Sequence, residues 1–201
     1  MYNNKIFIKN ILSLKVVYPI EKIQKINNEF IIVVKPEYLL DLLTFLKNHV
    51  LYQYKILSSI SGVDYPLKKK RFEVCYDLLS VIYNSRVRVK VCLNELTPVE
   101  SCMEIYSAAN WYEREIWDLY GVFFKNHKDL RRILTDYGFE GHPLRKDFPL
   151  SGYVEVKYSE NSKRVISETL EFAQEYRVFD FVSPWSITKD ISDQSSNVLV
   201  K

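Results

Sequence analysis

The sequence is short of the residues that most readily build a self-contained active site. Five glycines in 201 residues form neither a Walker-type loop nor a G-x-G-x-x-G turn, so the chain has little means of cradling a phosphate in backbone amides. Three cysteines, Cys75, Cys92 and Cys102, show no C-x-x-C spacing. Their odd number argues against a disulfide-stapled protein, and small buried hydrophobes are what they read as. His49, His127 and His142 form no H-x-x-x-H pair, and no metal site is expected. No apolar run approaches the ~18 residues of a bilayer-spanning helix, so membrane association is expected only through a partner. The first twenty residues lack arginine and a cleavage site, which makes a poor signal or transit peptide. The chain is therefore expected to work where it is made. A formal charge of +3 is too small to argue for nucleic acid.

Aromatic residues are what the chain has in excess: 15 Tyr and 11 Phe. Many fall in the stretch from Asn110 to Tyr153, where a charged, aromatic helix stops at Gly121 and the following residues keep no helical or strand period. A loop of that length inside a compact domain is usually functional or disordered. Its Phe123, Phe124, Leu130, Ile133, Leu134, Tyr137, Phe139, Leu144, Phe148 and Leu150 carry more apolar surface than disordered segments do. The loop is expected to be ordered.

Upstream, the run Phe30–Val34 reads as an interior strand covered on both faces. Pro36 and Glu37 start a helix with an apolar stripe of Leu39, Leu40, Leu42, Leu43 and Leu46, ending near His49. A second strand spans Lys55–Tyr65. The run Lys68-Lys69-Lys70-Arg71 is more consistent with a solvated turn than with a phosphate site. Phe72, Val74, Tyr76 and Leu78 share one face of a strand, and Val87, Val89, Val91 and Leu93 share one face of the next. A hairpin centred on Tyr83-Asn84 would set Asp77 opposite Lys90 and Cys75 opposite Cys92. Thr97-Pro98-Val99-Glu100 is a capping box with proline at the first helical position, predicting a helix from there. Asn110 is predicted to cap a second helix closed by Gly121, with Tyr112, Ile116 and Leu119 facing the core and Glu113, Arg114, Glu115 and Asp118 around the rest. Ile20–Ile26 reads as a weak helix. Beyond Gly152, Val154–Tyr158 reads as a strand, Glu168–Glu175 as a helical turn or extended edge, and Phe179–Trp185 as an aromatic segment.

The fold class expected is α+β, a small mixed or antiparallel sheet with helices on one face, followed by a long ordered loop and an extended C-terminal tail. The divisions are an N-terminal extension (1–28), an α+β core (29–121), a partner-binding loop and extended segment (122–186) and a polar tail (187–201). No paired carboxylates, nucleophile with a base or cofactor loop emerges; Glu113 and Glu115, two apart on a helix, point to different sides. A binding protein fits better. Arg131, Arg132 and Arg145 could fork onto carboxylates, with Tyr137, Phe139, Phe148 and Trp185 as aromatic anchors, or these groups could satisfy the loop internally. An RNA-binding module resting on Lys68–Arg71 and the arginine-bearing strand face, with Arg86 and Arg88, is the different-class alternative.

Within this loop the residues E-R-E-x-x-D-x-Y-G, N-H-x-D-L-R-R and G-H-P-L-R-K-D-F-P follow one another between Glu113 and Pro149. This resembles the signature of the 30 kDa subunit family of respiratory complex I, and the resemblance covers roughly Phe30 to Trp185. The chain is most similar to mitochondrially encoded members. Lys128 stands where the family usually has proline, which bears on the turn at Asn126–Asp129.

The resemblance implies a core subunit of the peripheral arm of NADH:ubiquinone oxidoreductase. It implies no catalytic residue and no flavin, iron-sulfur cluster or quinone held by this chain, while the whole complex uses NADH, FMN, iron-sulfur clusters and ubiquinone. The partners it implies are the 49 kDa subunit and cluster-bearing neighbours, on the matrix side of the mitochondrial inner membrane. Hydrogenase and antiporter-linked relatives use a homologous subunit. The matched positions are Glu113, Arg114, Glu115, Asp118, Tyr120, Gly121, His127, Asp129, Arg131, Arg132, Gly141, His142, Pro143, Arg145, Lys146, Asp147, Phe148 and Pro149, with interface and loop architecture as their implied role.

Overall fold

The computed structural model describes residues 4–26, 29–171 and 177–179. The chain forms two compact units, residues 1–150 and 151–201. In the first, α1 (Asn4–Val17) leads into β1 (Ile20–Ile26) and β2 (Glu29–Val34), and a 3-10 turn at Pro36–Tyr38 opens α2 (Leu39–Asn48). Then follow β3 (Ile56–Asp64), β4 (Phe72–Ser80), β5 (Ser85–Leu93), the two-residue β6 (Val99–Glu100), α3 (Ala109–Tyr120) and β7 (Phe124–Lys125). The second unit holds one hairpin, β8 (Val154–Ser159) with β9 (Arg164–Thr169).

The main sheet is mixed, with order β1-β2-β5-β4-β3 and a parallel contact between β2 and β5. Period-2 alternation explains its core. Phe30, Ile32 and Val34 of β2, Val74, Tyr76 and Leu78 of β4, and Val87, Val89 and Val91 of β5 all bury one face. Leu39, Leu42, Leu43 and Leu46 of α2, with Ile11 and Leu14 of α1, cover it. This is the expected α+β architecture, with helices on one face of a small sheet. The outer face is polar, with Glu73, Asp77, Arg88 and Lys90 joined as ion pairs.

Several local expectations are corrected. Ile20–Ile26 is an edge strand: it pairs with β2 on one side only, Ile23 opposite Ile32, and Lys22 and Lys25 are exposed. A helix, α1, precedes it where the sequence read weakly. β2 is buried on one face only, Ile31 and Val33 being half-buried. The β4–β5 hairpin pairs Asp77 with Arg88 and Cys75 with Lys90. Its turn therefore centres between Ile82 and Tyr83; a two-residue offset keeps every side chain on its expected face but changes each partner. The capping box at Thr97 opens no helix: Val99 donates to the Phe123 carbonyl (3.0 Å) and Ser101 to that of Lys125 (2.9 Å), which makes β6 a strand beside β7. α3 begins at Ala109 after Ala108 rather than after an Asn110 cap. Val154–Tyr158 is a strand as expected, and β9 takes the start of the Glu168–Glu175 segment; residues 172–176, and Trp185 among the aromatic anchors, lie outside the described residues.

α3 packs against β3, and one glycine makes the approach possible. A Cβ on Gly62 would meet the Tyr120 ring at 2.7 Å, so only a bare backbone lets that ring lie on the strand. At the other end of the helix the Tyr112 hydroxyl donates to the Ser58 carbonyl (3.1 Å), beside the β-bulge between Leu57 and Ser59.

Candidate functional site: a loop fastened to one helix

Two carboxylates expected on the polar surface of α3 are instead fully buried: Glu113 and Asp118 are each 0% exposed. Each organises a stretch of backbone that has no regular structure. Helical spacing alone put them off the core stripe; the missing signal was the loop itself, which folds back over α3 and turns that polar face inward.

Asp118 binds the loop just beyond the paired arginines. Its carboxylate accepts from the amides of Ile133 (3.2 Å), Leu134 (2.7 Å) and Thr135 (2.9 Å), and from the Thr135 hydroxyl (2.6 Å). Arg132 adds a charge-assisted contact at 3.3 Å. Burial opposes ionisation, yet the bonds from Thr135, Leu134 and Ile133 outweigh it and hold the carboxyl below its ordinary range.

Glu113 holds the segment before α3. It accepts from the Ser101 hydroxyl (2.6 Å) and the Cys102 amide (2.8 Å). Here burial dominates over those bonds and pushes the carboxyl pKa up. His127 Nε2 lies 3.8 Å away, but that nitrogen donates to the Asn110 carbonyl (3.2 Å) while Nδ1 accepts from the Asp129 amide (3.1 Å). Both contacts fix the ring beside the buried Glu113 carboxyl.

A carboxyl with a raised folded pKa favours the folded state most at low pH, and that contribution is lost as pH rises through the folded value. Glu113→Gln keeps one acceptor oxygen for the Cys102 amide and turns the other contact round, its NH2 donating to the Ser101 hydroxyl oxygen, and it carries no charge. Its stability relative to wild type is therefore expected to improve as pH rises above the ordinary carboxylate range, followed by urea unfolding. A difference that does not move with pH would contradict the raised pKa.

The C-terminus of α3 accounts for the G-H-P-L-R part of the signature. A helix leaves its last four carbonyls without intrahelical donors, and all four are met here. Gly121 donates to the Trp117 carbonyl (2.9 Å), His142 Nδ1 to Asp118 (2.9 Å), the Leu144 amide to Leu119 (3.1 Å) and Arg145 Nε to Tyr120 (2.7 Å). Gly121 sits at φ +73°, the left-handed closing position predicted for it. Burial lowers the His142 pKa, which favours the neutral ring that this cap uses, edge-on to Trp117.

The next residues are pinned to the β3–β4 turn. Arg71 forks onto Asp64 (2.8 and 3.0 Å), and Asp64 also accepts from the Lys146 amide (2.8 Å). Asp147 meets Arg71 at 3.0 Å and Arg145 meets Glu95 at 2.6 Å. The Arg71 guanidinium, foremost, holds both Asp64 and Asp147 below the usual carboxylate range. Both guanidiniums lie 5.2 Å from the Phe72 ring centre. Gly141 turns beneath Phe148, whose ring is 5.9 Å from that of Phe139.

Of the remaining signature positions, Arg114 donates to the Arg131 carbonyl (3.2 Å) and lies over Trp111. Glu115, Pro143 and Pro149 are half-buried. Arg131 pairs with Asp129 on the surface. Arg132 and Arg145, two of the three arginines with alternative readings, are thus spent inside the chain. At Asn126, beside Lys128, the backbone takes φ +63° and the side chain donates to Glu100 (2.8 Å). The basic run is largely matched as well: Lys68 pairs with Glu73, Lys70 with Glu21 and Arg71 with Asp64. That leaves little free charge for a phosphate.

One helix of this α+β domain thus fastens a long loop through buried carboxylates and capped carbonyls. Residues 32–154 match the family described as "Respiratory-chain NADH dehydrogenase, 30 Kd subunit", and the chain belongs to that family. It is 59% identical over 159 residues to NADH-ubiquinone oxidoreductase subunit 9 of Prototheca wickerhamii, covering 79% of this chain and 83% of that one. Subunit 9 of Reclinomonas americana is 57% identical over 176 residues, 87% of this chain and 86% of the relative. The Beta vulgaris protein named NADH dehydrogenase (ubiquinone) iron-sulfur protein 3 is 55% identical over 166 residues, 83% and 86% of the two chains. Among solved structures, a chain of the membrane-bound sulfane sulfur reductase, an archaeal respiratory membrane complex, aligns with a TM-score of 0.61 and 25% identity. That alignment covers 74% of this chain and 87% of the other.

Proposed function

We propose that the chain is a cofactor-free, non-catalytic core subunit of the peripheral arm of proton-pumping NADH:ubiquinone oxidoreductase. In this reading it works on the matrix side of the mitochondrial inner membrane. Its loop docks on the 49 kDa subunit and cluster-bearing neighbours and supports the quinone-reducing module. The observation that carries the reading is a division of labour in the loop. Its polar groups are largely consumed within the chain, on Asp118, on the end of α3 and on Asp64. Part of its apolar surface is left outside: Tyr137 is 103% exposed, Leu150 78%, Leu134 61% and Phe123 53%, while Phe124 is buried and Phe139 and Phe148 are half-buried. Aromatic and aliphatic side chains presented on a rigid base are what buried interface anchors need.

An iron-sulfur group, which the name of some relatives mentions, does not fit the cysteines. Clusters are held by grouped thiolates. Cys75 and Cys92 sit on neighbouring strands opposite Lys90 and Glu73, Cys102 is buried behind Glu113, and burial raises all three thiol pKa values. Among the described residues no three potential ligands come together. The archaeal neighbour belongs to another respiratory complex, but relatives at 55–59% identity favour the NADH-ubiquinone assembly.

The test is a blue-native separation of solubilised mitochondrial membranes, read by mass spectrometry. The chain is expected in the NADH-oxidising band beside cluster-bearing subunits. Recovery as a free protein, or with ribonucleoprotein, would overturn the reading.

A further inference from the structure

The segment from Thr97 to Ala108 carries instructions that its structure does not follow. Thr97, Pro98 and Glu100 form a helix-start signal. From Val99 onward the positions Cys102, Tyr106, Ala109, Glu113, Ile116 and Tyr120 recur at alternating intervals of three and four residues, one unbroken helical stripe running into α3. Yet residues 99–100 are extended.

Tertiary contacts from the loop hold them so. The Val99 and Ser101 amides donate to Phe123 and Lys125 of the β7 region. Glu113 takes the Ser101 hydroxyl and the Cys102 amide. Glu100, the would-be capping-box acid, is diverted to Asn126 (2.8 Å) and Lys125 (3.2 Å).

What lies between is already close to helical. Tyr106 donates to the Cys102 carbonyl across one full turn (2.9 Å), and Ala108 has right-handed helical angles, φ −61° and ψ −25°. Among the described residues, the amides of Glu104, Ser107 and Ala108 have no acceptor in the chain. A segment whose local preferences oppose its fold marks a place where two structures compete.

We propose that residues 97–108 are a two-state element. Residues 99–100 are extended and paired with β7 while the 122–135 loop is docked, and the whole segment continues α3 as a single helix from Pro98 when the loop lifts. Loop docking is thereby coupled to the length of α3: residues 123–126 must replace a helix, so a partner that seats the loop also shortens α3. The coupling does not depend on which complex the chain joins.

The test uses the full chain carrying Asp118→Ala, which releases the loop, with residue-resolved hydrogen exchange. The Val99 amide, which loses the Phe123 carbonyl and falls in the donor-free first turn of the new helix, is expected to exchange at least tenfold faster than in wild type. The amides of Glu104, Ser107 and Ala108 should slow at least tenfold, while the β4 and β5 amides remain protected. Adding Thr97→Ala should reduce that new protection severalfold, although among the described residues no hydrogen bond of the docked structure uses the Thr97 side chain. Glu113→Ala, which frees residues 101 and 102 without touching Asp118, is the companion variant and should give the same pattern. If Glu104, Ser107 and Ala108 stay unprotected while the sheet persists, the proposal fails. It fails equally if the sheet amides open in both variants, because the segment then has no second state of its own.

Discussion

Asp118→Ala is expected to lower the stability of the first unit by about 3–5 kcal/mol, the cost of stripping a buried charged acceptor from its partners. Three backbone amides, the Thr135 hydroxyl and Arg132 converge on this carboxylate, and alanine removes the acceptor they share, so the loop loses its anchor. Asparagine should do little better, because its amide nitrogen would present hydrogens to a cluster made of donors. The pH dependence has a definite sign. The folded pKa of Asp118 is depressed, so its contribution is present above the ordinary carboxylate range and is lost as pH falls through the folded value. Wild type should therefore lose its advantage over the variant in acid, and urea titrations between pH 2 and pH 7 would measure this. Equal stabilities at neutral pH would refute the anchoring role.

Gly121→Ala is the second large effect, about 2–4 kcal/mol, because two penalties coincide. The residue sits at φ +73°, where a side chain costs roughly 1–2 kcal/mol. Its Cβ would also stand 2.5 Å from His142 Nε2 and 2.6 Å from an Arg145 terminal nitrogen. Those side chains cap Asp118 and Tyr120, so relieving the overlap exposes the carbonyls they cover. Thermal unfolding of Gly121→Ala beside His142→Ala should show effects far from additive in the double variant. Simple additivity would mean that the glycine and the cap act separately.

Much of the scaffold was legible in the sequence because it follows from one-dimensional periods. The apolar alternation in β4 and β5, the leucine stripe of α2 and the left-handed end of α3 each depend on residues close together in the chain. The errors have a common origin. Glu113 and Asp118 sat correctly on a polar helix face, but periodicity cannot reveal that the loop would cover that face and supply donors. The capping box at Thr97 is a sound local signal overruled by pairing with residues more than twenty positions away. Gly62 carried no sequence cue at all, since its reason is a ring from another element. The signature residues were found, but their cooperation as caps for four successive carbonyls depends on the chain returning from 142–145 to 117–120.

The loop is fastened from within, and the proposed function leaves its outer rim for other subunits. The most direct test is a chain with Leu134→Asp and Tyr137→Ser, two exposed positions whose side chains contribute little to the fold. Its melting temperature, followed by circular dichroism on the isolated chain, should stay within about 2 °C of wild type, as surface changes away from structural contacts do. Its recovery in the NADH-oxidising native-gel band should fall at least tenfold, as loss of interface anchors predicts. Wild-type recovery in that band with unchanged stability would contradict the claim that this rim is the surface through which the chain assembles.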